Sequence, residues 1–325
     1  MKEKILEFLK SQKEYISGEE ISSKLGITRA GVWKNINKLK EEGYNIESMT
    51  RKGYRLITTP NIITKSEVSS IIHTKVLGKD IRYYDQINST NEMAKTLARE
   101  GAAEGTVVIA DRQLSGKGRL GKHWDSPSGT GIWMSIILKP DIMPVQASQL
   151  TLLAGLSVCE AVNKVTGLES RIKWPNDVVV NRKKVCGILT EMSAELDGIN
   201  YIIVGIGINV NTKEFTEELS HATSLSLEGG KDYMRRYIIK EILEVFEEDY
   251  MVYKKERNIK HFLQRYKDNC ITLNGDVKII THQREYTAYA KDIAKDGSLI
   301  VTDEQGQEET IFSGEVSVRG LYGYI

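Results

Sequence analysis

The segment Ala110 to Gly131, ADRQLSGKGRLGKHWDSPSGTG, carries the densest chemistry in this 325-residue chain. Within it, Gly116 to Lys122 packs three glycines and three cations into seven residues. Glycines let backbone N–H groups approach an anion closely, and Lys117, Arg119 and Lys122 supply charge. A phosphate-bearing ligand is the natural inference. Two nucleotide-binding templates match on paper. Gly116-x-Gly118-x-x-Gly121 fits a dinucleotide fingerprint. Gly116-x4-Gly121-Lys122 fits a P-loop without its Ser/Thr, because His123 stands there. Both templates need the loop to open into a helix whose N-terminus holds the phosphates. The residues that follow, HWDSPSGTG, do not form a helix, and the missing hydroxyl removes a Mg2+ ligand. A disordered basic loop that closes over a ligand fits better. The plain alternative is a flexible surface loop that binds nothing.

Other polar clusters accompany it. Lys173-Trp-Pro-Asn-Asp177 precedes a strand, and Asn181-Arg-Lys-Lys184 turns into Val185-Cys-Gly187-Ile-Leu189. Gly205-Ile-Gly-Ile-Asn209 lies within an apolar strand. Glycines inside a strand weaken it unless something must approach the backbone. Asn209 reads as a turn-former or as a ligand. Ser89-Thr90-Asn91 reads as a polar cluster or as the N-cap of the following helix.

The elements that must position these groups alternate from Ile81 onward. Strands are expected at 106–110, 132–138, 177–180, 185–192 and 201–210, and helices at 91–100, 149–165 and 233 to about 255. After Cys270 short strands separated by Asn274-Gly275, Asp296-Gly297 and Gln305-Gly306 suggest a small β-barrel. Residues 1–60 read as a separate domain, with Thr58 to Thr64 as a linker. Ile5, Leu6 and Leu9 mark one amphipathic helix. Ser17-Gly-Glu-Glu20 caps a second, and Thr28 caps a third whose buried face is Val32, Ile36 and Leu39. Gly43 stops that helix, and Tyr44 to Leu56 then makes a hairpin. This is a winged helix-turn-helix. Helix three shows Arg29, Lys34, Asn37 and Lys38 to a major groove, and the wing adds Arg51, Lys52 and Arg55. A charged, solvated helix in a dimerisation domain is the bland alternative.

Charge supports DNA binding. The first 60 residues hold twelve Lys/Arg and eight Asp/Glu, against 33 and 36 in the rest. With 40% hydrophobic and 27% charged residues the chain is not disordered or fibrous. The run Gly131 to Leu138 falls far short of the ~20 residues of a membrane helix. The N-terminus, MKEKILEFLKSQKE, is not a signal peptide. Cys159, Cys186 and Cys270 read as reduced thiols of a cytoplasmic protein. The five histidines form no HxxxH-type pair, so no histidine-built metal site is expected.

Taken together, Ser89-Thr90-Asn91, Gly116 to Trp124, Lys173 to Asp177, Lys184 with Gly187-Ile188, and Gly205 to Asn209 resemble the biotin protein ligases. With the winged helix, nearly the whole chain resembles the bifunctional bacterial biotin ligase and biotin-operon repressor family. The resemblance implies an α+β multidomain fold: a winged helix-turn-helix (1–60), a mixed α/β catalytic domain of the biotin/lipoyl ligase type (61–270) and a small SH3-like β-barrel (271–325). It implies that biotin and MgATP give biotinyl-5′-AMP and pyrophosphate. The biotinyl group then passes to one lysine of a biotin carboxyl carrier protein. The biotin carboxylate, with a pKa near ~4.3, is already a nucleophile at neutral pH and needs no base. Cations and backbone donors are what the reaction requires.

Residue by residue, the resemblance places Ser89, Thr90, Asn91 and Gln113 on the biotin ring. Gly116, Lys117, Gly118 and Arg119 wrap its tail, with Gly187 also on the biotin side. Arg119 and Lys184 neutralise carboxylate and α-phosphate, and Asp177 serves a metal or the incoming lysine. Lys122, Trp124, Asn176 and Asn209 lie on the ATP side, Trp124 covering adenine or anchoring the closed loop. Thr28, Arg29, Lys34, Asn37, Lys38, Arg51 and Lys52 contact DNA. The adenylate acts as corepressor by favouring a homodimer on a two-fold operator. The family loop commonly has arginine where this chain has Lys117 and Lys122; lysine keeps the charge but loses the planar two-pronged donor. A ligand-sensing transcription factor without ligase activity, and a lipoate ligase, are the competing readings.

Overall fold

The computed structural model describes residues 1–195, 198–281, 284–313, 317–320 and 324. The chain divides into two compact units, Met1–Ile62 and Ile63–Ile325.

In the first unit the caps read from sequence form as hydrogen bonds. Helix α1 is Lys2–Lys10, α2 is Gly18–Leu25 and α3 is Arg29–Glu41. Ser17 Oγ accepts from Glu20 N at 3.0 Å, and Thr28 Oγ1 accepts from Gly31 N at 3.1 Å. Gly26 ends α2 in the left-handed region. Strands β1 (Asn45–Met49) and β2 (Gly53–Thr58) form the wing. Ile5, Ile21, Val32, Ile36 and Leu39 close one apolar cluster. Each such side chain contributes roughly 1.5–3 kcal/mol by leaving water. The wing is stitched to the α1–α2 connection, with Tyr54 N donating to Ile16 O at 2.8 Å and Ile16 N to Tyr54 O at 2.9 Å. Gly53 permits this: its φ is +106°, and a Cβ there would lie 2.0 Å from Ile16 O.

The second unit runs α4 (Lys65–Ser69), β3 (Ile81–Ile87), α5 (Thr90–Arg99), β4 (Val107–Gln113), β5 (Gly131–Leu138), α6 (Ala147–Thr166), β6 (Ser170–Lys173), β7 (Asp177–Val180), β8 (Lys183–Glu195) and β9 (Gly198–Asn209). Helices α7 (Leu225–Gly229), α8 (Arg235–Glu256) and α9 (Lys260–Asp268) follow. Strands β10 (Gly275–Ile280), β11 (Glu285–Ile293), β12 (Leu299–Thr302), β13 (Glu308–Ile311) and β14 (Ser317–Gly320) complete it. Seven strands form one sheet in the order β3-β4-β5-β9-β8-β7-β6, parallel only between β3 and β4. The C-terminal strands form a five-stranded antiparallel sheet, β13-β12-β11-β10-β14.

Strand β5 is buried along its whole length, which explains its unbroken apolar sequence GIWMSIIL. Residues 202, 204, 206 and 208 of β9 join the large core that includes α6 and α8. Ile203 instead packs with Ala94 and Ala98 of α5. Alternate positions of a strand face opposite sides, so Gly205 and Gly207 share the α5 face with Ile203. By length and composition α6, with the preceding turn, could cross a membrane, but 78% of that window is buried in the fold. It is the core helix of this unit.

Candidate functional site

The cleft lies on the α5 face of the large sheet and encloses about 460 Å³ open to solvent. Strand register builds its floor. Gly205 of β9 pairs with Ser135 of β5 and Leu189 of β8. One step along, Gly207 pairs with Gly187, and Gly187 with Asp177 of β7. A Cβ on Gly205 would lie 2.1 Å from Asn91 Oδ1. One on Gly207 would lie 2.6 Å from Trp124 Nε1, and one on Gly187 2.9 Å from Trp124 Cζ3. The strand glycines therefore admit an asparagine at one end and an indole at the other.

The asparagine end is a hydrogen-bonded cluster. Gln113 Oε1 accepts from Thr90 N at 2.8 Å and from Thr90 Oγ1 at 3.1 Å, while its Nε2 donates to Ser126 Oγ at 2.8 Å. The Ser135 hydroxyl stands 2.8 Å from Thr90 Oγ1 and 2.6 Å from Asn91 Oδ1. Asn91 Nδ2 donates to Glu191 Oε2 at 2.8 Å. Ser89 is the N-cap residue of α5, but its side chain does not bond the helix end.

The glycine loop is folded back on itself. Gly118 N donates to Lys122 O at 2.7 Å, and Trp124 N to Gly116 O at 2.9 Å. A Cβ on Gly116 would stand 2.3 Å from Trp124 O, so that glycine permits the close pairing. Only a single short turn, Arg119–Gly121, interrupts it, and Leu120 there has φ +56°. No helix follows, which excludes both phosphate-loop templates. At the loop's base Asp111 accepts from Gly129 N at 3.1 Å and from the Ser128 hydroxyl, and pairs with buried Arg235 at 3.0 Å.

The cations are held differently. Arg119 Nη1 donates to Asn176 Oδ1 at 2.8 Å and its Nη2 to the Ser313 carbonyl at 2.5 Å. Burial pulls its pKa below the ordinary value, partly offset by Asp177. Lys184 Nζ sits 2.6 Å from Asp177 Oδ1 and 5.2 Å from the Trp124 ring centroid. Lys117 points outward and pairs with Glu92 at 2.9 Å. Hydrogen bonds from Lys117 and Lys95 hold the Glu92 carboxyl below its usual range. His221 lies close by; burial and the Lys184 and Lys173 charges lower its pKa. Trp124 Nε1 is buried with no acceptor among the described residues, so a ligand acceptor in the cleft would satisfy it.

Three families match the chain. The Biotin/lipoate A/B protein ligase family matches residues 83–209, an HTH domain 2–55 and the Biotin protein ligase C terminal domain 272–319. The Bifunctional ligase/repressor BirA of Bacillus spizizenii is 40% identical over 316 residues, 96% of each chain. That of Bacillus subtilis is 39% identical over the same share. The chain belongs to the bifunctional biotin ligase/repressor family. A solved biotin protein ligase from Aquifex aeolicus, in complex with biotin and ATP, is 34% identical with a TM-score of 0.65. It covers 74% of this chain and 99% of that one.

In this ligase/repressor, Ser89, Thr90, Asn91, Gln113, Lys117, Gly118, Arg119, Trp124, Asn176, Lys184 and Gly187 line one cleft. Gly116 and Lys122 sit at the neck of the loop, and Lys122 is exposed. Asp177 stands behind Lys184. Asn209 lies outside the lining, buried, with Nδ2 donating to Thr223 O at 3.2 Å. Sequence reasoning passed over Ser126, Ser135 and Glu191. Ser135 was the findable one, a lone hydroxyl in an otherwise apolar strand.

In the first unit Thr28, Arg29, Lys34 and Lys38 are exposed, and Asn37 is half-buried on α3. Arg51 and Lys52 are exposed at the wing tip. Trp33, unremarked in the sequence, is 61% exposed between Arg29 and Asn37 on the same helix. It shares that helix with the exposed cations Arg29, Lys34 and Lys38.

Proposed function

We propose that the chain activates biotin as biotinyl-5′-AMP, transfers the biotinyl group to one lysine of a biotin carboxyl carrier protein, and represses biotin genes when adenylate-bound. The observation that carries this is the two-ended cleft. Hydrogen-bonding side chains crowd one end and Arg119 and Lys184 the other, and the described lining holds no carboxylate, cysteine or histidine. Such a cleft suits a nucleophile that arrives already ionised. A biotin carboxylate oxygen attacks the α-phosphorus of ATP, and pyrophosphate leaves. The lysine amine then attacks the acyl carbon, giving an amide, AMP and a proton.

Thr90, Asn91 and Gln113, with Ser89, hold the ureido ring, whose N–H and C=O groups need matching partners. Gly116, Lys117, Gly118 and Arg119 wrap the tail, with Gly187 beneath it. Arg119 and Lys184 offset the repulsion between carboxylate and α-phosphate. Trp124 and Asn176, with Lys122 and Asn209 further out, serve the nucleotide. ATP enters as its Mg2+ complex. The described lining offers the ion no carboxylate, so the substrate phosphates would hold it. Asp177, engaged by Lys184, serves the metal or the incoming lysine in this reading.

We read the chain as 1–60 for DNA, 61–270 for catalysis and 271–325 as the small β-domain. Arg29, Lys34, Asn37 and Lys38 enter the major groove behind the Thr28 cap, and Arg51 and Lys52 touch phosphates beside it. The adenylate favours a homodimer on a two-fold operator. Among the described strands β3 pairs with β4 alone, so its outer edge is a candidate surface for dimer or carrier domain. Three buried free thiols fit work in the cytoplasm; burial pushes that of Cys159 up to about 11. Lipoate is the competing acyl group, but its ring offers no partners for the polar cluster.

Mass spectrometry of a carrier domain incubated with biotin, ATP and this protein tests the reading. The expected adduct is biotin minus water on one lysine. Biotin-dependent pyrophosphate exchange into ATP excludes a mere sensor. An unlabelled carrier together with no exchange would refute the ligase reading.

A further inference from the structure

Asp177 is 8% exposed, and a buried carboxylate needs partners for both oxygens. Lys184 Nζ forms an ion pair with Oδ1 at 2.6 Å without the alignment of a hydrogen bond, so charge alone serves that oxygen. The other partner comes from far away in sequence: the Tyr324 hydroxyl donates to Asp177 Oδ2. The Tyr324 ring has two further neighbours. Lys173 Nζ lies 3.6 Å from its centroid, and the His221 ring stacks on it at 5.0 Å and 27°. His221 in turn accepts from Lys184 N through its carbonyl at 2.9 Å. The contacts close a circuit: Asp177 to Lys184, Lys184 to His221, His221 to Tyr324, and Tyr324 back to Asp177.

Lys173 makes the circuit informative. It is the register partner of Asp177 across β6 and β7. Side chains so paired stand on one face with Cβ atoms about 4.5–5.5 Å apart. Asp177 therefore has two lysines within reach, one lining the cleft and one not. The ring gives the Lys173 ammonium a π face to rest on, and the hydroxyl fills the oxygen that Lys173 would otherwise claim.

We propose that Tyr324 is a positioning residue for the ligase reaction: it occupies Lys173 and Asp177 Oδ2, so that Asp177 holds Lys184 at the cleft. Tyr324 touches no substrate and acts through Asp177 and Lys184. The inference rests on the ligase reading, and exchange by the unmodified protein tests that reading separately.

The experiment is a double-mutant cycle on the full chain between Tyr324→Phe and Lys173→Gln, read by biotin-dependent pyrophosphate exchange. Tyr324→Phe keeps the ring and loses the hydroxyl. Its kcat should fall about tenfold, with KM for biotin within twofold and the thermal midpoint nearly unchanged. In the Lys173→Gln background the competing cation is gone, and the same change should cost less than threefold. Tyr324→Leu, which also removes the ring face beneath Lys173, should lose more than Tyr324→Phe and be rescued likewise by Lys173→Gln. A Tyr324→Phe protein with unaltered kcat would overturn the proposal, and so would an equal loss in both backgrounds.

Discussion

Of the three loop cations, Lys117 and Arg119 should differ by more than an order of magnitude in what they do for the adenylate. Lys117 makes one ion pair with Glu92 at 2.9 Å, with side chains 51% and 42% exposed. Glu92 keeps a second partner in Lys95 at 3.0 Å. Exposed pairs of this kind contribute about 0.2–1 kcal/mol. Lys117→Ala should therefore speed adenylate release only about twofold. Arg119 instead makes two hydrogen bonds to acceptors outside the loop, Asn176 Oδ1 and Ser313 O. Charge-assisted bonds are worth about 1.5–3 kcal/mol each, so the low end for both gives ~3 kcal/mol. That is a factor of about a hundred. Arg119→Ala should release labelled adenylate about a hundredfold faster from the isolated complex, in a rapid-filtration assay. Lysines of a bystander protein should become biotinylated in the same reaction. The reasoning fails if Lys117→Ala matches or exceeds Arg119→Ala, or if both stay within threefold of the unmodified protein.

Gly207→Ala drives a methyl against Trp124 Nε1 at 2.6 Å; overpacking of about 1–3 kcal/mol should weaken ATP binding about tenfold by calorimetry. Adding Trp124→Ala should then cost little more. Lys34→Ala and Arg51→Ala should each reduce the slope of log operator affinity against log salt by about 0.9, whereas Trp33→Ala should lower affinity with the slope intact. Gly53→Ala meets Ile16 O at 2.0 Å and a φ of +106°. It should destabilise the first unit by more than ~1 kcal/mol and weaken operator binding, leaving pyrophosphate exchange unchanged. His221 has a lowered pKa in the fold, so the unfolded chain binds its proton first as pH falls through about 6.5. Stability from this residue is complete above that value and declines below it. Urea unfolding at pH 7.5 and 5.5 should show a smaller acid loss in His221→Gln than in the unmodified protein.

Much of the fold was legible because its signals are local. Ser17 and Thr28 announce caps within three residues of what they bond, and those bonds form. The expected strand at 132–138 and helix at 149–165 differ by only a few residues from β5 and α6. Other elements carried no comparable signal. Strand β6 has four residues and α4 five, too short for a periodicity to show. Tyr324 lies 147 residues from Asp177, and nothing near either residue announces the other.

The glycines show where local reading stops. Gly205 and Gly207 were legible as sites of close approach. Which side chain approaches is settled by register with β5 and β8, which brings Asn91 to one and Trp124 to the other. The loop glycines have a second use that the sequence does not announce. Read along the chain, Gly116, Gly118 and Gly121 amid cations suggest disorder. In the fold Gly116 is glycine because Trp124 O would lie 2.3 Å from its Cβ. Gly118 pairs with Lys122 through its backbone. Conformational freedom is thus used here to bring two backbones together, and that pairing sets Trp124 across Gly187 and Gly207. Glycines that weaken a strand in isolation order this one, because at Gly187, Gly205 and Gly207 the missing methyl is the space that Trp124 or Asn91 fills from far along the chain.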